Sequence, residues 1–231
     1  NEKDFILKLK PVYDSIKKTR ENLDKKKSLI SFVGSPWTLI IYMMGMKDEN
    51  NILNLEILKK RKDEISIILK KLNKFLCVHI KNQIKAGADT VQLFDSWAGL
   101  IPGENLNEYC YKPNLEIVNF CKKNKIPAIC FPKGIKKNYL DFMKIVKPDC
   151  INIDYDIDPI WIRENLNNVC IQGGMNPKIL LEKEENIYQE AEKYLKAFKD
   201  YPYIFNLGHG LLPETKLDNV TKLIKFVKEY K

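Results

Sequence analysis

Three side chains that can donate a hydrogen bond stand close to the ends of short apolar runs. His209 lies between two glycines, Ser96 lies two residues past one of these runs, and Tyr42 lies a little more than one helical turn beyond a Pro-Trp-Thr turn. Imidazole and hydroxyl groups placed in this way can bind an anionic group of a small molecule. Each also has an ordinary structural role, as a turn histidine, a helix-capping serine or a locally bonded tyrosine.

The elements that must position these side chains are six short runs rich in β-branched residues. The runs are nearly continuously apolar instead of alternating, which is typical of parallel strands buried on both faces. Helical patterns separate them, so the sequence predicts one parallel α/β domain over residues 1–231. The predicted strands are Leu29–Val33, Thr90–Phe94, Ala128–Phe131, Cys150–Ile153, Val169–Gln172 and Tyr203–Leu207.

Two helices are marked clearly. Apolar residues recur at helical spacing from Ile65 to Ile80, with polar residues on the opposite face. A second stripe runs from Leu217 to Val227, and Thr215-x-x-Asp218 predicts a capping box at its start.

Bulk composition narrows the function classes. A net charge of +9 comes from scattered lysines and not from one basic arm, so we expect no nucleic-acid partner. No apolar stretch is long enough to span a membrane and no signal peptide is recognisable, so we expect a cytoplasmic protein. The six cysteines are widely spaced, which predicts reduced thiols, with Cys130 and Cys150 in core strands, and no metal site.

Strand-end loops that carry the polar residues favour a (β/α)8 TIM barrel, because such barrels build their sites from the loops at the carboxyl ends of the strands. An open doubly wound sheet is the alternative, but its usual G-x-G-x-x-G loop is absent. About six βα units are visible in the sequence. We therefore expect two further units upstream of Asn1.

Four segments resemble the uroporphyrinogen decarboxylase family, in order and over nearly the whole chain. Gly174–Asn176 departs from the family pattern, which has Asn-Leu-Asp there. The segments are Phe32–Leu39 followed by Tyr42, Ala86–Gly99, Gln172–Pro177 and Phe205–Glu214, the last with the sequence Asn-Leu-Gly-His-Gly.

The resemblance implies a carboxy-lyase of heme biosynthesis that uses no cofactor. Such an enzyme removes carbon dioxide from the four acetate arms of uroporphyrinogen III and gives coproporphyrinogen III. The resemblance also implies a homodimer and assigns substrate binding to Tyr42, Ser96 and His209. The family's proton-donating arginines and pyrrole-facing aspartate belong to the first two βα units, so no catalytic residue is assigned here and we expect this portion alone to be inactive.

Other polar residues receive lesser roles. Lys133 can add positive charge near the substrate, Asp95 is expected to bond loop amides, and the indoles of Trp37 and Trp97 are expected to form walls. Arg20, Arg61 and Arg163 stand in helical, lysine-rich surroundings typical of a surface.

Two alternatives remain open at this point. A zinc-dependent corrinoid or coenzyme M methyltransferase shares the barrel, but its His-x-Cys ligand pair is replaced here by Phe131-Pro132-Lys133. A non-catalytic porphyrinogen-binding protein is the second alternative. A decarboxylation assay separates it from an enzyme.

Overall fold

A computed structural model describes residues 1–230 and divides them into two compact units, Asn1–Asp149 and Cys150–Lys231. All six predicted strands are present. Three lie in the first unit, β1 (Ile30–Gly34), β2 (Thr90–Asp95) and β3 (Ala128–Pro132), and three in the second, β4 (Cys150–Ile153), β5 (Cys170–Gly173) and β6 (Tyr203–Ile204).

The first unit pairs β1 with β2 and β2 with β3, all parallel. Phe32 lies opposite Gln92, and Phe94 lies opposite Phe131. Its helices are α1 (Glu2–Lys8), α2 (Lys10–Asn22), α3 (Pro36–Met43), α4 (Leu55–Lys60), α5 (Lys62–Lys85), α6 (Lys112–Lys123) and α7 (Tyr139–Val146). Short 3-10 and π turns at Ala98–Leu100, Gly103–Asn105, Asn107–Tyr111 and Lys136–Asn138 complete the connections.

Helix α5 confirms the prediction made from its apolar stripe. Ile65, Leu69, Leu76 and Ile80 are buried, as their spacing on one helical face requires. The helix continues five residues beyond this stripe, to Lys85, and ends where Gly87 adopts a positive φ of 116°.

Strand β1 differs from its prediction. It begins one residue later than expected, and its residues alternate between exposed and buried instead of being buried throughout. Ile30 and Phe32 lie on the exposed face, and Phe32 is 65% exposed. The apolar composition of β1 led to the prediction that both faces of the strand are buried. Only Ser31 and Val33 are buried, however. By contrast, every residue of β3 is buried.

The second unit pairs β4 with β5 and β5 with β6, again parallel. Asn152 lies opposite Gln172, and the Gln172 amide donates to Asn152 Oδ1 over 2.7 Å. The helices of this unit are α8 (Pro159–Asn165), α9 (Glu184–Ala197) and α10 (Leu217–Glu229), with a 3-10 turn at Pro177–Leu181. Strand β6 is shorter than predicted, and Leu207 instead forms an isolated bridge with Met175.

The predicted capping box before α10 is wrong. Helix α10 begins at Leu217 with Lys216 as its N-cap, and no side chain bonds the cap amides. Thr215 therefore lies one residue too early to cap the helix. Its amide instead bonds the Leu212 carbonyl in a turn.

Two further properties concern the described part of the chain. None of its helices combines the length and the apolar character needed to cross a membrane. All six cysteines carry free thiols, and Cys130 and Cys150 lie in buried strands as predicted.

Candidate functional site

The carboxyl ends of β1 and β2 are joined by a buried polar cluster around Asp95. Thr38 Oγ1 donates to Asp95 Oδ1 over 2.9 Å, and Asn114 Nδ2 donates to Oδ2 over 3.1 Å. Ser35 Oγ in turn donates to Asn114 Oδ1 over 3.0 Å. Thr38 belongs to α3 and Asn114 to α6, so side chains of both helices bond the end of β2. The cluster thereby fixes the start of α3 against β2.

Burial raises the pKa of the Asp95 carboxyl from its ordinary value of 3.8 to about 6, although the hydrogen bonds from Thr38, Asn114 and Cys110 oppose the rise. The predicted structural role of Asp95 is confirmed. Its partners are mainly side chains, however, and not the loop amides that we expected.

The turn after β2 is attached to α3 at two points. The Trp37 indole N–H donates to the Trp97 carbonyl over 3.0 Å, and the Trp97 amide donates to Thr38 Oγ1 over 3.3 Å. Trp37 is fully buried and stacks on Tyr109. The Ser96–Trp97 turn is therefore held rigidly beside the first turns of α3.

Tyr42 projects from α3 against the same turn. Its ring meets the Trp97 indole edge-on, with centroids 6.2 Å apart, and the residue is 62% exposed. Its hydroxyl has no hydrogen-bond partner among residues 1–230, and neither has the hydroxyl of half-buried Ser96. Local bonding, the structural explanation for both residues, is therefore not observed. The Tyr42 ring contacts Trp97, and Ser96 directly precedes Trp97 in the chain.

A cation that the sequence did not single out completes this cluster. Lys47 Nζ lies 4.4 Å from the centroid of the Trp97 ring and 2.6 Å from Asn51 Oδ1. A lysine in a polar loop carries no sequence signal of its own. Its position over the indole depends on the fold of the loop that follows α3.

Three phenylalanines on the exposed face of the first sheet were also missed. Phe32 meets Phe94 edge-on at 5.8 Å, and Phe94 meets Phe131 at 6.1 Å. Phe94 and Phe131 are register partners, whereas Phe32 lies diagonally to Phe94, opposite Gln92, so the rings form a row across three strands. Phe32 is 65% exposed and Phe131 is buried, so the row is accessible mainly at its Phe32 end.

Lys133 follows β3 and is half-buried. Its amide donates to the Asp95 carbonyl over 3.1 Å, and its carbonyl accepts from Gly99 over 2.8 Å. These backbone bonds join the loops that follow β2 and β3. Gly99 and Gly134 lie so close together that a Cβ on Gly99 would be 2.8 Å from the Gly134 carbonyl oxygen.

In the second unit, His209 lies in an exposed turn after Leu207. Its Nδ1 accepts from the Gly210 amide over 2.6 Å, which fixes the ring orientation. The preceding Gly208 donates to the Met175 carbonyl over 2.8 Å, and a Cβ there would lie 2.6 Å from the Tyr155 amide. Glycine is therefore required at position 208 for the two backbones to meet.

Of the three arginines predicted to lie on the surface, Arg61 is exposed, whereas Arg20 and Arg163 are half-buried. Arg20 pairs with Asp89 and bonds the Lys27 carbonyl, and Arg61 pairs with Glu64. Arg163 lies over the Tyr201 ring. Among residues 1–230, no group of three or more His, Cys, Asp or Glu side chains could hold a metal ion.

Parallel strands followed by helices, with hydrogen-bond donors at the strand ends, define an α/β protein of the TIM-barrel class, of which about six βα units are present. The family model described as uroporphyrinogen decarboxylase (URO-D) matches residues 1–230. The chain belongs to this family.

Named uroporphyrinogen decarboxylases are similar to this chain. The protein from Orientia tsutsugamushi (strain Boryong) is 40% identical over 227 residues, which cover 96% of this chain and 66% of the relative. The protein from Rickettsia bellii (strain RML369-C) is 38% identical, with the same coverage of both chains. The chain thus spans just under two thirds of the length of these relatives.

Two solved structures share the fold at low identity. A methyltransferase from Methanosarcina mazei has a TM-score of 0.76 and 16% identity, covering 95% of this chain and 64% of its own. A B12-independent methionine synthase from Shewanella sp. W3-18-1 has a TM-score of 0.58 and 15% identity, covering 94% and 66%. These likenesses concern the fold alone.

Proposed function

We propose that this chain is the substrate-binding portion of a cytoplasmic uroporphyrinogen decarboxylase. The enzyme would convert the four acetate arms of uroporphyrinogen III to methyl groups without an added cofactor. The observation that carries the proposal is the exposed Tyr42, whose ring contacts Trp97 and whose hydroxyl, like that of Ser96, has no hydrogen-bond partner among residues 1–230, in a chain of this family.

The reaction needs donors for carboxylates and an electron sink. When carbon dioxide leaves, the electron pair of the broken C–C bond passes into a protonated pyrrole of the substrate. The methylene carbon then takes up a proton, and the ring releases the proton it had gained, so that one proton replaces each carboxylate. Tyr42 and Ser96 donate to substrate carboxylates in this scheme, and His209 binds another carboxylate. The phenylalanine row packs against the apolar edge of the macrocycle.

We assign neither the proton donor nor the anion facing the pyrrole N–H groups to this chain. The resemblance places them in the first two βα units of the family, and the relatives are longer than this chain by about a third of their length. Substrate binding and proton transfer would then reside in different parts of the complete enzyme.

A decarboxylation assay tests this division. We would compare the 231-residue chain with the same chain joined to the preceding residues of the Orientia relative, and measure coproporphyrinogen formed from uroporphyrinogen III. Activity is expected only in the joined protein. Full activity in the 231-residue chain would contradict the assignment of essential groups to the upstream residues. Inactivity of both, with tight substrate binding, would favour a non-catalytic binding protein.

Variants of the joined protein test the individual hydroxyls. Tyr42→Phe and Ser96→Ala should each lower kcat/KM by about tenfold or more, because a hydrogen bond to a charged group contributes roughly 1.5–3 kcal/mol. Tyr188→Phe removes the hydroxyl of a half-buried tyrosine that bonds Glu184, and Ser28→Ala removes that of an exposed serine. Both lie outside the proposed site and should leave the rate unchanged. Equal effects of the site and control variants would count against the proposed roles.

Zinc measurement separates the remaining alternative. Stoichiometric zinc in the purified protein would favour a methyltransferase related to the Methanosarcina structure. We also propose a homodimer, by resemblance to the family. Sedimentation of the joined protein as a monomer at micromolar concentration would contradict the dimer.

A further inference from the structure

The loop that follows α3 is tied together by hydrogen bonds and presents Lys47 beside Trp97. Met46 is fully buried, and its carbonyl accepts from the Asn54 amide over 2.8 Å. Lys47 and Leu53 form an antiparallel bridge. The Asp48 amide donates to the Ile52 carbonyl over 3.1 Å, and the Ile52 amide donates to Asp48 Oδ1 over 2.8 Å. The loop is thus a closed turn anchored in the core.

The Lys47 ammonium is held by neutral groups. The Trp97 ring lies beneath it and the Asn51 side-chain oxygen accepts from it. Trp97 is itself fixed by its backbone bonds to Trp37 and Thr38. Little side-chain entropy therefore remains to be lost when Lys47 binds a ligand.

The charge of Lys47 is not neutralised within the described part of the chain. No Asp or Glu of residues 1–230 forms an ion pair with it, although Asp48 follows it directly. In the same region Lys60 pairs with Glu56 and Lys62 pairs with Glu108. Exposed Lys59 forms no ion pair within residues 1–230 either, but it lies over no aromatic ring there. A positioned cation with no counter-ion is a suitable group to receive an anion.

Tyr42 shares the same indole. Its ring and the Lys47 ammonium both lie within about 6.5 Å of the Trp97 ring centroid, as the contacts above require. The Tyr42 residue is exposed and its phenol has no hydrogen-bond partner among residues 1–230, so two groups that can donate to a carboxylate border the same indole. Two donors of this kind bind a carboxylate more tightly than either alone.

We propose that Lys47, together with Tyr42 and with Trp97 as its rigid support, forms a subsite for one carboxylate arm of the substrate. This inference rests on the proposed function and adds a specific cation to it. Lys47 is a binding and positioning group here and takes no part in proton transfer.

A fluorescence titration with uroporphyrin, the oxidised and stable octacarboxylate, tests the subsite on the 231-residue chain. Lys47→Met removes the charge and keeps an unbranched chain against the indole, whereas Lys47→Arg keeps the charge. Lys59→Met is the matched control, because it removes the same unit of charge from an exposed position on α4. It therefore reproduces any change in long-range attraction.

We expect Lys47→Met to weaken binding by about five- to tenfold. Lys47→Arg and Lys59→Met should stay within about twofold of the unmodified chain. Equal affinities of Lys47→Met and Lys59→Met would overturn the subsite while leaving the proposed function standing. Equal weakening by Lys47→Met and Lys47→Arg, with altered near-ultraviolet circular dichroism, would show a packing role and overturn it as well. Absence of binding by the unmodified chain would overturn the proposed function itself.

Discussion

The buried carboxyl of Asp95 should make the stability of this protein depend on pH in a direction opposite to that of an ordinary salt-bridged carboxylate. Burial raises its pKa in the folded state from 3.8 to about 6, so the folded state holds the proton more tightly than the unfolded state does. The stabilisation is fully present below about pH 4 and is lost as pH rises through about 6. A rise of this size corresponds to about 3 kcal/mol.

Asp95→Asn isolates this contribution, because the amide keeps the shape of the carboxyl but does not titrate. Its altered bonds to Thr38 and Asn114 add a cost that does not change with pH, and other titrating groups cancel between the two proteins. The unfolding free energy of the variant minus that of the unmodified protein should therefore rise by about 2.5 kcal/mol between pH 4 and pH 7, because the unfolded carboxyl is already more than half ionised at pH 4.

Urea unfolding followed by tryptophan fluorescence measures this difference, because both tryptophans lie next to the Asp95 cluster. Trp37 directly precedes Thr38 in α3, and the Trp97 amide donates to Thr38 Oγ1. Asp63→Asn, on an exposed carboxylate at the start of α5, is the control for the side-chain replacement itself. A difference for Asp95→Asn that stays constant within about 0.5 kcal/mol from pH 4 to pH 7 would refute the reasoning.

Two further predictions concern the second unit and the thiols. Gly173→Ala should lower the unfolding free energy by about 1–3 kcal/mol, because φ is +84° there and the new Cβ would meet the Asn152 side chain at 2.9 Å. Gly210→Ala is the control: a Cβ there would meet no atom within 4 Å, so the unfolding free energy should change little. Thermal unfolding measures both. Cys170 should react with a disulfide reagent at neutral pH faster than Cys77. A hydrogen bond from the Cys150 thiol lowers the pKa of Cys170, whereas burial raises the pKa of Cys77 to about 11. Equal reaction rates of the two thiols, measured by mass spectrometry, would contradict this.

The sequence predicted the strand–helix order well because hydrophobic periodicity is a local signal. Every predicted strand exists, and most begin or end within one or two residues of the observed bounds. Two predicted details differ from the structure. Strand β6 ends early, with Leu207 forming only an isolated bridge, and α10 begins without the side-chain cap that Thr215 was predicted to supply.

The family and the three binding candidates also followed from the sequence, since they depend on residues close together in short motifs. The structure adds the absence of local bonds at Tyr42 and Ser96 within the described residues, which the motif alone did not contain. His209 remains a predicted binding residue, placed on an exposed turn of its own unit.

Only the tertiary structure decided which residues surround these candidates. Thr38 and Asn114 reach Asp95 across 57 and 19 positions of chain, and Lys47 reaches Trp97 through the fold of an anchored loop. The exposed phenylalanine face of β1 was missed for a related reason. Composition shows that a strand is apolar, but only packing determines which of its faces is covered.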